Sequence, residues 1–170
     1  SYTVPNIKQR NVSYEAVRYT CLMDKDGKHA LTLECEMTNN DIAFRYVIPA
    51  PKKDEARHAS VVKEEMKGYV LPEDATTYLA PQMIPMTGFA GTAPSYETHI
   101  TPNEPMGKNG WGDGYVFPAL FKNADKGWML ISETGTNGNY CGCHLKNNGG
   151  NKYQIAFPNP KECNGNGTSE

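Results

Sequence analysis

Long apolar runs are missing from this chain. The longest are strand-sized, such as "YVFPALF" at Tyr115 to Phe121, against the ~20 apolar residues that a membrane-spanning helix requires. An excess of charge of either sign is missing too: 17 Lys and Arg stand against 19 Asp and Glu, a formal net charge of -2. With both signs interspersed there is no basic stripe to neutralise a phosphate backbone and no polybasic segment to hold an anionic membrane, which sets aside nucleic acid as a partner. The chain also opens without a Met, a charged n-region or an apolar h-region, so any targeting segment is expected to have been removed or to lie outside these residues.

Catalytic signatures are equally scarce. No glycine loop opens a helix for phosphates, and no G-x-S-x-G elbow is present; "SETG" around Ser132 follows a strand and leads into a hairpin turn instead of a helix. The four histidines, His29, His58, His99 and His144, show no ligand spacing and read as surface or strand residues. Glu97 and Glu104 are loop carboxylates of the kind that flank a sugar bond, and a solvated role is the simpler reading for each. Five cysteines, Cys21, Cys35, Cys141, Cys143 and Cys163, are an odd number and widely spread, which argues against a complete disulfide framework. Cys-Gly-Cys-His at 141 to 144 lacks the second ligand pair of a structural zinc site, so Cys141 and Cys143 read as small hydrophobes on one strand face.

What is present is period-two alternation and turn punctuation. "VSYEAVRYTCLM" at Val12 to Met23 reads as a strand, "DKDGK" as a turn, and "HALTLECEMT" as a strand with His29, Leu31, Leu33, Cys35 and Met37 on one face. "NND" at Asn39 to Asp41 turns the chain into "IAFRYVIP", completing an antiparallel meander. The charged segment "APKKDEARHASVVKEEMKG" carries no long helical stripe and reads as a surface connection. From Tyr69 onward prolines at 72, 81, 85, 94, 102 and 105 cut the chain into loop with embedded edge strands. "YVFPALF", "GWMLISE", "YCGCHL" and "YQIAF" then form a fresh run of strands in which Trp128 is expected in the core. The fold expected is an all-β antiparallel sandwich, a single domain over residues 1–170 with a polar tail at 159–170.

Aromatic residues offer a second functional route. Trp111 sits in "KNGWGDG", where flanking glycines leave the indole without strand neighbours. It is either a surface on which a sugar ring stacks, together with Tyr96 and Tyr140, or a cap on the sandwich edge.

Four blocks carry a family resemblance: "DIAFRYVIP" at 41–49, "PEDATTYLAP" at 72–81, "PSYET" at 94–98 and "GYVFPALFKNADKGWMLISETGTNGNYCGCHL" at 114–145. In this order they resemble the amino-terminal domain of glycoside hydrolase family 97, from about Asn11 to the "IAFPNPKECNGNG" near the end. The resemblance implies part of a mutarotase-like β-super-sandwich, with early strands before Ser1, that packs on a (β/α)8 barrel. That barrel holds both catalytic carboxylates, so none is expected in this chain. It further implies a calcium-dependent α-glucosidase or α-galactosidase acting on α-linked oligosaccharides, in a bacterial periplasmic or extracellular setting. In the family pattern the glutamate of the S-E-x-G hairpin is a calcium ligand, and Glu133 holds that position. Calcium prefers oxygen ligands, and a carboxylate at the end of a packed strand meets it without ordering a loop. The other reading of Glu133 is an acceptor for backbone amides of the Thr134 to Gly138 turn. One carboxylate is not an adequate site, so no tight calcium binding is expected of this chain alone. Absent early strands would leave an unpaired edge that invites pairing with another copy. A free-standing carbohydrate-binding sandwich and a ligand-free structural sandwich are the alternatives.

Overall fold

Alternation becomes ladder where turns permit it. The computed structural model describes residues 2–3, 11–51, 62–82, 99–108, 114–135 and 142–159, the side chains of 2, 3, 11 and 12 excepted. The chain gathers into two compact units, Ser1–Ser60 and Val61–Glu170.

In the first unit β1 (Tyr2–Thr3) pairs with β2 (Asn11–Val12), and β3 (Val17–Lys25), β4 (Lys28–Met37) and β5 (Ile42–Val47) form the expected meander. Asp26 and Gly27 both adopt positive φ, 53° and 71°. That is the geometry of the two-residue turn whose twist matches a hairpin, and Asp-Gly is a sequence suited to it. The second turn is held by Thr38, whose Oγ1 accepts from the amides of Asn40 and Asp41. Register places Glu36 opposite Arg18 and Glu34 opposite Arg45, and each pair closes as an ion pair, at 2.6 Å and 2.5 Å between Nε and carboxylate. Leu31, Leu33, Cys35 and Phe44 share the other face and are half-buried.

The described residues of the second unit form two sheets. One runs in the order β10 (Trp128–Ile131), β9 (Ala119–Lys122), β7 (Thr76–Tyr78), β8 (Glu104–Pro105); the other runs β11 (His144–Asn147), β12 (Lys152–Ala156), β6 (Gly68–Val70). Ala119, Phe121 and Ile131 from the first sheet pack with Leu145, Tyr153 and Ile155 from the second. The Phe121 and Tyr153 rings meet edge to face, their centroids 5.2 Å apart. This is an all-β sandwich of antiparallel sheets, as its alternation predicts.

Two expectations change. β7 is an interior strand, laddered to β8 on one side and β9 on the other. The prolines that bracket it, Pro72 and Pro81, lie outside the ladder, whereas Pro105 sits on the edge strand β8, where a missing donor is tolerated. Trp128 is not in the core: it is 57% exposed, and Leu130 is 62% exposed on the same face. The inward face of β10 is carried by Met129 and Ile131, so this apolar strand is covered on one side only. Cys143 is half-buried and packs against the core, whereas Cys141 and Cys163 lie outside the described residues.

Candidate functional site

Glu133 is positioned from both ends. Upstream, β10 pairs with β9 through four residue pairs, Trp128 with Lys122 to Ile131 with Ala119, and buried Ile131 pins the end of the strand. The β9–β10 connection is closed by Asn123, whose amide donates to the Gly127 carbonyl (2.9 Å) and whose carbonyl accepts from Lys126 (2.8 Å). Downstream, Gly135 turns the chain away with φ 67°, a conformation that suits a residue without Cβ.

The Glu133 side chain is tied across the sandwich. Its Oε2 accepts a hydrogen bond from the Cys143 backbone N–H at 3.2 Å. Cys143 leads directly into β11, where Leu145 is fully buried and exchanges two 2.8 Å backbone hydrogen bonds with Tyr115. The carboxylate therefore joins the end of one sheet to the entry of the other. Gly114 belongs to the same tight corner: with φ 99°, an added Cβ there would lie 2.5 Å from the Leu145 carbonyl oxygen and 3.0 Å from the His144 ring. His144 is buried beside it.

The donor set here limits the chemistry. Among the described residues no group of three or more His, Cys, Asp or Glu is placed to hold a metal ion. Glu133 can thus contribute one carboxylate to a cation, while a protein calcium site takes ~6 to 8 oxygens. The other expected site residues, Trp111, Tyr96 and Tyr140, and the loop carboxylate Glu97, lie outside the described residues. Glu104 is half-buried in β8, and its carbonyl accepts from the Thr77 hydroxyl at 3.2 Å.

Sequence reasoning missed an aromatic cluster on the outer face of the four-stranded sheet. Tyr78 and Trp128 lie 5.0 Å apart between ring centroids, and Lys122 Nζ stands 5.9 Å from the indole. The signal was the alternation of "WMLI", which separates Trp128 and Leu130 from Met129 and Ile131 without saying which pair faces inward.

Comparison with known proteins bears on most of the chain. The family description "Glycosyl-hydrolase 97 N-terminal" matches residues 1–161. A comparison with curated proteins gives no match. Among solved structures the chain is similar to one titled "Crystal structure of beta-arabinopyranosidase", with 40% sequence identity and a TM-score of 0.84. That likeness covers 95% of this chain and 26% of the other, so the chain spans about a quarter of the structure it matches.

Proposed function

The chain belongs to the glycosyl-hydrolase 97 family through its N-terminal domain, and from that premise we propose that it is the non-catalytic sandwich domain of a longer, calcium-dependent α-glycoside hydrolase. In this reading it packs on a (β/α)8 catalytic domain and helps shape the active site. The single observation that carries it is the placement of Glu133, a carboxylate held where the two sheets of the second unit meet, by buried Ile131 on one side and the Cys143 amide on the other. A charge so anchored reaches a cation with little ordering cost. The remaining oxygens of the shell come from the catalytic domain, so the ion would tie the sandwich to the catalytic geometry.

Sugar stereochemistry supports one substrate class. Taken as the common L sugar, a β-arabinopyranoside has the ring configuration of an α-D-galactopyranoside without its exocyclic hydroxymethyl group. The arabinopyranosidase title of the similar structure therefore favours α-galactoside-like over α-glucoside substrates. A periplasmic or extracellular site of action in a bacterium completes the proposal.

Glu133→Gln tests it in the longer protein. The Gln amide oxygen can still accept from the Cys143 N–H, so the melting temperature should stay nearly constant while the charge is lost. Calcium activation of nitrophenyl α-galactoside hydrolysis should shift to at least about tenfold higher calcium. An unchanged calcium requirement would reduce Glu133 to an acceptor for the Cys143 N–H that links the two sheets.

A further inference from the structure

The outer face of the four-stranded sheet gathers aromatic and polar side chains. Register puts Trp128, Lys122 and Thr76 in one row across β10, β9 and β7, and Leu130, Leu120 and Tyr78 in the next. Trp128 and Tyr78 are thus separated by a whole strand, yet their ring centroids are 5.0 Å apart with planes at 56°. The two rings therefore meet over β9. Trp128 remains 57% exposed, a large ring held on strands instead of a loop.

Polar groups at the rim are fixed and have capacity left. Asn103, at φ 53°, accepts on Oδ1 from the Tyr78 hydroxyl (2.5 Å) and from the Thr76 hydroxyl (3.4 Å). That orients its amide and leaves the Nδ2 hydrogens with no acceptor among the described residues. Lys122 contacts the indole through Nζ and pairs with no carboxylate among the described residues. The patch therefore offers an apolar aromatic surface bordered by amide and ammonium donors and by hydroxyl acceptors.

We propose that this face binds a pyranose ring of a neutral glycan, with Trp128 as the stacking surface, Tyr78 as its lateral support, and Lys122 and Asn103 as donors to ring hydroxyls. A pyranose has an apolar C–H face and an equatorial belt of hydroxyls, which is the complement of such a surface. A protein partner fits less well. Lys122 stands directly beside the indole, and covering it with apolar protein surface would desolvate an ammonium without a counter-ion, a residue type depleted from interface centres. The site does not include Glu133 and rests on the glycosidase reading only for the sugars chosen as probes.

The test titrates the purified 170-residue chain with methyl β-L-arabinopyranoside, methyl α-D-galactopyranoside and maltotetraose, following the Trp128 indole N–H by NMR and the heat of binding by calorimetry. A small open platform should give a saturable shift with a dissociation constant on the order of 1–10 mM for at least one probe. Trp128→Ala should weaken binding at least about tenfold and Trp128→Phe should keep part of it. Lys122→Met, which retains the stem, and Asn103→Gly, which retains the positive φ, should each weaken it about three- to tenfold. Binding should be the same in excess calcium and in chelator, which separates failure here from failure of the calcium reading. No saturable shift up to about 100 mM of any probe would overturn the proposal. So would wild-type affinity in both the Trp128→Ala and Lys122→Met variants. A concentration-dependent dimer that Trp128→Ala dissolves and sugar leaves intact would make the face a self-docking surface instead.

Discussion

Tyr153 shows how one buried side chain links packing to pH. Its ring is enclosed by the core against Phe121, and burial raises its phenol above the ordinary tyrosine range. Hydrogen bonds to the Gly107 backbone and the Asn147 side chain pull the other way and only partly offset this. A raised folded-state value means that the native chain holds the proton more tightly than the unfolded chain. The stabilisation is complete below about pH 10 and is lost as pH rises through the folded value. Denaturant unfolding at alkaline pH should therefore show stability falling above about pH 10, and Tyr153→Phe should flatten that part of the decline. An identical alkaline slope in the Phe variant would assign the effect to other tyrosines. At the acid end Glu36 has the opposite sign: the hydrogen bond from Arg18 lowers its carboxyl, so its contribution is lost as pH falls through the folded value.

At the scale of elements, the longest ladder among the described residues depends on two turn residues. β3 and β4 are 9 and 10 residues long, and Asp26 and Gly27 alone reverse the chain between them. An added Cβ at Gly27 meets nothing within 4 Å, so any cost of substitution is torsional. Gly27→Val should destabilise this hairpin by about 1–2 kcal/mol, while Gly27→Asn should cost less because Asn tolerates positive φ. Hydrogen exchange of the β3 and β4 amides measures it. A Val variant with unchanged protection would show that cross-strand pairing sets the register without help from the turn.

At the scale of the whole molecule, the proposed function makes this chain a carrier of sites: both catalytic carboxylates of the proposed parent would belong to another domain, and Glu133 would supply one strong ligand. The purified chain should therefore hydrolyse neither nitrophenyl α-galactoside nor nitrophenyl α-glucoside. Calorimetric titration should find calcium binding no tighter than about 1 mM, since one carboxylate leaves most of the shell to water. A sub-micromolar calcium site in this chain would show that its own residues complete the shell.

Much of the fold was legible in local pattern. Backbone geometry forces successive strand residues to opposite faces, so alternation from Val17 to Val47 gave the meander, and Asp26-Gly27 and Asn39-Asn40 marked its turns. The position of Glu133 after an apolar strand was legible for the same reason. Its partner was not, because the Cys143 amide lies ten residues downstream and reaches the carboxylate through folding. Nor could alternation tell the inner face of β10 from the outer one, since both pairs in Trp128-Met129-Leu130-Ile131 are apolar. That choice came from Phe121, Leu145 and Tyr153, which filled the core against Ile131 and left Trp128 outside. Side-chain direction is a property of the backbone, readable residue by residue; burial is a property of what the opposite sheet supplies.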